Sequence, residues 1–204
     1  TEPIRSVHGN LVECIEREEG QYAVVAFDKA PGALAEELSP DQWNQRLFEA
    51  LGRTAGQMHA LAKAYAPASE ALRRPEWDQI GNCFNPIEEL EALPPLMREK
   101  RERILDHVRA LAKDRDSYGL IHTDFHGGNF FLDPGSGAIT VFDFDDCAYG
   151  WFVMDVAMNL FDMLVLYAGG DAESFATEFM ETYLRGYLAE NLLSAFWIDQ
   201  LPHF

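Results

Sequence analysis

The sequence predicts an α+β protein that is mainly helical, and three observations carry that reading. Two runs near the start alternate weakly between apolar and polar residues, Val7 to Glu16 and Gln21 to Phe27. From Ser39 onward, long stretches repeat apolar residues at spacings of three and four. Between Gly119 and Phe142, three short apolar runs bracket a polar loop. Alternation has the period of a strand, and spacings of three and four have the period of a helix.

The two alternating runs, rich in Val, Ile and Tyr with Glu19-Gly20 between them, predict a pair of antiparallel strands joined by a tight turn. Asp28-Lys29-Ala30-Pro31-Gly32 is a breaker cluster that suits a hinge. Ser39-Pro40-Asp41-Gln42 offers a helix cap with proline at the first helical position and a capping-box partner. Leu47, Leu51, Ala55, Met58 and Ala62 then mark an amphipathic helix to about Tyr65. His59, beside that face, reads as a hydrogen-bonded packing residue rather than a catalytic one.

Residues from Pro67 to Pro86 are irregular and contain Arg73-Arg74-Pro75 and Trp77, which reads as a substrate loop or, slightly better, a plain connector. Pro94-Pro95 starts another helix to about Asp114, with Met97, Ile104, Leu105, Val108 and Leu111 on one side. Gly119 to Ile121, Phe130 to Leu132 and Ile139 to Phe142 are strand candidates. Asp133-Pro134-Gly135-Ser136-Gly137 between the last two is a hairpin turn. Helices are expected from Trp151 to Ala168, from Ala172 to Ala189, and again near the end.

Composition bounds the function classes. The chain has 204 residues, of which 48% are apolar, enough for a substantial core. Its formal net charge of -18 repels phosphate backbones and argues against nucleic acid as a partner, while it attracts cationic small molecules. The three cysteines, Cys14, Cys83 and Cys147, form no C-x-x-C pair, which argues against a disulfide framework or a zinc site and makes the cytoplasm the expected compartment. No basic-then-apolar leader opens the sequence. The most apolar stretch, Trp151 to Ala168, is interrupted by Asp155, Asn159 and Asp162 on one helical stripe. It reads as a core helix with a polar edge, not a membrane span.

The chemistry-bearing stretch is Leu120-Ile121-His122-Thr123-Asp124-Phe125-His126-Gly127-Gly128-Asn129, followed by Val141-Phe142-Asp143-Phe144-Asp145-Asp146. Phosphoryl transfer from ATP needs a magnesium ion on the phosphate oxygens and a carboxylate to orient the attacking hydroxyl. Magnesium takes hard oxygen ligands, which Asn129 and Asp143 offer. Asp124 stands five residues before Asn129, with Gly127-Gly128 letting the loop turn back. Clustered acids at Asp143, Asp145 and Asp146 repel one another unless a cation is near. A different reading takes His122-x-Asp124-x-His126 as a metal triplet for a hydrolase; it leaves Asn129 and the second cluster unexplained. A binding or scaffold module that keeps the fold without turnover is the other alternative.

The H-x-D-x-x-x-x-N pattern, followed by a strand pair and D-x-D, resembles the aminoglycoside phosphotransferase and choline kinase superfamily. It looks most like the bacterial branch with homoserine-kinase-like and stress-response kinases. The resemblance, over roughly Tyr22 to Gly186, implies a protein-kinase-like fold with a mainly helical C-terminal lobe and a two-stranded remnant of the N-terminal lobe. On that reading residues 1–27 belong to the small-lobe sheet, 28–38 to the hinge and 39–204 to the large lobe, with a catalytic loop at 120–132 and a metal-binding hairpin end at 141–146.

It further implies transfer of the ATP γ-phosphoryl group to the hydroxyl of a small molecule, with Mg2+ as cofactor and no membrane partner. The implied roles are Asp124 as catalytic carboxylate, His122 as a brace of the loop, and Asn129, Asp143 and Asp145 around the metal. Asp155 would accept hydrogen bonds from the catalytic-loop backbone. Ala26, Phe27 and Asp28 would read adenine through backbone groups, above Phe131 and Phe142. The sequence departs from the family in having no G-x-G-x-x-G cover and no lysine on a strand before the hinge. It therefore reads as a piece lacking most of the small lobe.

Overall fold

A computed structural model of the chain describes residues 2–39, 42–79, 93–167 and 169–204. Four short strands come first: β1 (Pro3–Ile4), β2 (Glu13–Arg17), β3 (Gly20–Val24) and β4 (Ala26–Phe27). β2 and β3 form the expected antiparallel hairpin, with Arg17 opposite Gly20. The first run is shorter than its alternation suggests. The Ser6 hydroxyl accepts from the backbone N–H of His8 at 3.1 Å, and Ser6 N donates to Asn10 O at 2.8 Å, so the chain turns before β2 begins. β1 pairs instead with β4. The N-terminal region is thus two separate strand pairs rather than one.

Five α-helices follow among the described residues: α1 (Gln45–Ala62), α2 (Pro95–Arg109), α3 (Phe152–Leu166), α4 (Ala172–Leu188) and α5 (Ala195–Ile198). Asn44 caps α1, its Oδ1 accepting from Arg46 N at 2.9 Å and Leu47 N at 3.4 Å. The expected cap, Ser39, serves a separate turn: its N–H and hydroxyl both donate to Gln42 Oε1, at 2.9 and 2.7 Å. Pro40 and Asp41 lie outside the described residues. α1 and α4 pack closely because two glycines allow it. A Cβ on Gly52 would stand 1.9 Å from Tyr183 O, and one on Gly186 2.0 Å from Glu49 O. The aromatic face of α4, Phe179, Tyr183 and Tyr187, is fully buried against α1.

β5 (Ala33–Leu34) crosses to the later strands β6 (Tyr118–Ile121), β7 (Phe130–Leu132), β8 (Ile139–Val141) and β9 (Ala148–Trp151). β5, β7 and β8 form one antiparallel sheet, and β6 pairs with β9. The three predicted apolar runs are β6, β7 and β8. β9 lay unrecognised ahead of the predicted helix, because all four of its residues are buried and show no alternation. The connector lies along the edge of β9: Trp77 N donates to Tyr149 O at 2.9 Å, and Tyr149 N to Pro75 O at 2.8 Å. Its remainder, residues 80–86, lies outside the described residues. α2 begins at Pro95 as expected but ends at Arg109, and of its apolar side only Val108 is fully buried. Among the described residues no helix is long and apolar enough to cross a membrane.

Candidate active site

The loop after β6 is held by the polar stripe of α3. Asp155, fully buried, accepts from His122 N at 2.9 Å through Oδ2 and from Thr123 N at 2.8 Å through Oδ1. One turn on, Asn159 donates to Phe125 O at 2.7 Å. A further turn on, Asp162 accepts from Gly127 N at 2.8 Å. One helix face therefore fixes the backbone on both sides of Asp124. Asp155 is itself oriented by His59, whose Nε2 lies 3.0 Å from Asp155 Oδ2 and whose Nδ1 lies 2.8 Å from the Tyr187 hydroxyl. His59 is a buried, hydrogen-bonded residue, as its place on α1 suggested. Burial alone would push the Asp155 carboxyl up; the hydrogen bond and charge of His59, with the His122 N–H, override it and hold it below the ordinary carboxylate range.

Within the loop, Asn129 Nδ2 donates to Asp124 Oδ2 at 2.9 Å and to Asp124 O at 2.8 Å. That commits the amide nitrogen and leaves the carbonyl oxygen of Asn129 as the atom able to serve a cation. His126 Nδ1 accepts from Gly128 N at 3.0 Å. In the neutral ring the proton then sits on Nε2, 3.3 Å from Asp124 Oδ2. Asp124 is thus oriented from two sides while 39% of its side chain remains exposed.

The second cluster joins this loop through the backbone. Phe142 N donates to Asn129 O at 3.0 Å, so Asp143 follows the residue paired with Asn129. His122 Nε2 donates to Phe142 O at 3.0 Å, and Thr123 Oγ1 to Asp146 O at 2.9 Å. Among the described residues, two non-glycine positions have left-handed backbone: Thr123 at φ 71° and Asp143 at φ 63°. For a β-branched threonine this conformation is strained, and here it is stabilised by the Asp155 and Asp146 bonds. Such strain gathers where geometry matters more than local preference. The carboxylates of Asp143, Asp145 and Asp146 are exposed, next to the loop. A neutral amide oxygen and carboxylates are hard-oxygen donors, the kind that suits a divalent cation such as magnesium.

The remaining candidates divide. Phe131 in β7 and Phe142 just after β8 pack with their rings tilted at 34°, centroids 5.0 Å apart. Ala26 and Phe27 lie in β4, and Asp28 N donates to Glu2 O at 3.1 Å. Phe27 is 59% exposed and makes no ring contact with Phe131 or Phe142 among the described residues. The hydrolase triplet does not assemble. His122 is turned to the Phe142 carbonyl, and among the described residues no three His, Cys, Asp or Glu side chains cluster as for a metal.

A family model described as "Phosphotransferase enzyme family" matches residues 10–195. The chain belongs to this phosphotransferase family. It is 34% identical over 209 residues to the amicoumacin kinase of Bacillus subtilis (strain 168), covering 99% of this chain and 59% of that protein. Among solved structures, the amicoumacin kinase hAmiN in complex with AMP-PNP, Ca2+ and Ami superposes with a TM-score of 0.84 at 32% identity, over 99% of this chain and 60% of that one. A microcompartment-associated aminopropanol kinase superposes with a TM-score of 0.73 at 25% identity, over 98% and 62%. The phosphotransferase chain therefore spans about 60% of the length of these relatives. They establish a kinase-like fold of mixed helix and strand.

Two residues of this phosphotransferase chain that touch the site were not singled out for it by the sequence. Arg74, from the connector, donates through Nε to Cys147 O at 2.9 Å and through Nη2 to Asp145 O, pinning the acidic turn. His126 orients Asp124, a role the metal-triplet reading obscured. The H-x-D-x-H spacing was the visible signal for His126. For Arg74 there was none, because an arginine pair in an irregular stretch carries no periodicity.

Proposed function

We propose that this chain supplies the catalytic lobe of an ATP-dependent phosphotransferase acting on the hydroxyl of a small molecule. The observation that carries the reading is the Asp124–Asn129 pair, hydrogen-bonded at 2.9 Å and backbone-linked through Phe142 to Asp143. In this assignment Asp124 orients the acceptor hydroxyl and takes its proton, helped by the His126 ring that steadies its Oδ2. Asn129 Oδ1 and the carboxylates of Asp143 and Asp145 hold the divalent ion, magnesium in this proposal. Bound there, magnesium-ATP supplies the transferable phosphoryl group with its charge neutralised. His122 braces both loops by bonding the Phe142 carbonyl. The Phe131–Phe142 pair would offer an apolar floor for the base, which the backbone of Ala26 to Asp28 would read. The family membership, and the AMP-PNP, Ca2+ and Ami of the hAmiN complex, support the same assignment. The strongly acidic chain favours acceptors that carry positive charge.

The test is magnesium-dependent ATP turnover by the full-length gene product against a broad panel of alcohols, with Asp124→Asn as control. Loss of the positioned base is expected to lower kcat by about 10²–10⁴-fold. Unchanged turnover in Asp124→Asn, or none with any hydroxyl acceptor in the wild type, would refute the assignment.

A further inference from the structure

A cleft of about 540 Å³ lies between α2, α3 and the C-terminal end of the chain, and Thr123 forms part of its wall. That volume is in the range of small-molecule sites. Its lining is chiefly apolar: Trp77 from the connector, Leu105 and Val108 from α2, and Met158 and Phe161 from α3. Phe161 is 66% exposed, although a large aromatic side chain on a soluble helix is ordinarily covered. The next residue, Asp162, bonds the catalytic loop at Gly127, so this stretch of helix borders both the cleft and the loop. Asp124 is also close enough to Asp162 for its charge to help raise the Asp162 carboxyl, behind the larger effect of burial.

The lining lacks the acidic character of the chain, and its Arg101 is paired with Glu102 at 3.1 Å. The net charge is -18, yet among the described residues lining the cleft the ionisable side chains are Arg101 and His203, with no carboxylate. A polycationic sugar placed here would bring ammonium and hydroxyl groups against methionine and phenylalanine, where they lose water without gaining partners. An apolar body loses nothing of that kind and covers exposed apolar surface. Positive charge on the acceptor is better served near the carboxylates of Asp124 and Asp162, outside the apolar cleft.

We propose that the acceptor is an amphiphilic alcohol whose apolar ring or branched alkyl body sits between α2 and α3, with its hydroxyl reaching past Thr123 to Asp124. The proposal rests on the phosphotransfer reading above. In the transfer, the acceptor oxygen bonds the γ-phosphorus as the bond from that phosphorus to the β–γ bridging oxygen breaks. The hydroxyl proton passes to Asp124, and ADP leaves with the bridging oxygen.

Binding and turnover separate the two ideas. Ethanolamine, leucinol, phenylalaninol and kanamycin are titrated into the chain by calorimetry. The same compounds are then assayed as acceptors in the full-length gene product. Affinity is expected to rise about tenfold or more from ethanolamine to phenylalaninol, the scale on which apolar pockets discriminate. Phe161→Glu, at an exposed position, is expected to erase that preference, with an unchanged thermal midpoint confirming the fold. Tighter binding of kanamycin or ethanolamine than phenylalaninol, or an unaltered preference in Phe161→Glu, overturns the cleft assignment and leaves phosphotransfer standing. Cleft binding of phenylalaninol without turnover of any alcohol supports the apolar cleft but overturns its role as an acceptor site, and with it the phosphotransfer reading.

Discussion

The loop that carries Asp124 and the turn that carries Asp143 meet in one site, but they are held by different means. α3 grips the loop through buried side chains: Asp155 and Asn159 are 0% and 2% exposed, and their partners are main-chain groups of His122, Thr123 and Phe125. The turn has no such helix beneath it. Arg74 holds its carbonyls at Asp145 and Cys147, and His122 and Thr123 reach across to Phe142 O and Asp146 O. Its three carboxylates face solvent. Hydrogen bonds in a buried network are mutually reinforcing and expensive to break, whereas exposed ones are readily exchanged for water. The side of the site that would handle the proton is therefore anchored to the core. The side that would handle the cation is adjustable, and its geometry depends on a few bridging bonds.

The contrast breaks most visibly at Asp155. Asp155→Ala leaves two buried N–H groups and His59 without their acceptor, and is expected to destabilise the chain by about 3–5 kcal/mol, the range for removing one partner of a buried charged network. Urea unfolding measures this. The pH dependence has a definite sign. The folded carboxyl titrates below its unfolded value, so the unfolded chain binds more protons at low pH. Asp155 therefore stabilises fully above about pH 4, the unfolded carboxyl value, and this contribution is lost as pH falls through the lower folded value. Wild type is expected to lose stability on acidification more steeply than Asp155→Asn. Equal slopes would mean that the buried network contributes no charge-dependent stability.

A smaller effect is expected at Arg74. Arg74→Ala frees the carbonyls of Asp145 and Cys147 without opening the core. The divalent-ion concentration for half-maximal nucleotide binding is expected to rise about tenfold, the scale of losing an outer support of a metal site. The urea midpoint should move far less than in Asp155→Ala. Arg74→Lys should recover only part of the ion affinity, since one ammonium cannot span two carbonyls as a guanidinium fork does. A midpoint loss matching that of Asp155→Ala would place the turn in the core after all and remove the distinction.

What the sequence disclosed follows the same division. Strands β6 to β8, helices α1 and α4 and the Asp124–Asn129 spacing were legible because each leaves a local periodicity or a fixed offset. The stripe Asp155, Asn159 and Asp162 was legible as a stripe, and the structure supplies its partners. β9 was not, since a strand buried on both faces has no alternation to show. The cap of α1 was misplaced by five residues, from Ser39 to Asn44, because the Ser39–Gln42 bond that suggests a capping box forms here ahead of the residue that caps α1. Arg74 and the apolar cleft depend on residues far apart in the chain, and no short-range pattern records such a meeting.

The smallest effect sharpens the comparison within α3 itself. Asp162 holds Gly127 as Asp155 holds His122 and Thr123, but among the described residues no histidine hydrogen-bonds it as His59 does Asp155. Burial, with the nearby Asp124 charge, raises its carboxyl above the ordinary value despite the Gly127 bond and the influence of His126. A raised carboxyl stabilises the fold only at low pH, and that contribution is lost as pH rises through the folded value. Near neutrality the ionised Asp162 therefore carries a net penalty. Asp162→Asn keeps an oxygen for Gly127 N and removes the charge, so it is expected to raise the urea midpoint at pH 7 by the equivalent of about 0.5 kcal/mol. The gain should vanish below about pH 4, where the wild-type carboxyl is protonated in both states. A loss at pH 7 would mean instead that the Gly127 bond draws its strength from the charge, and that both acids of the stripe act alike.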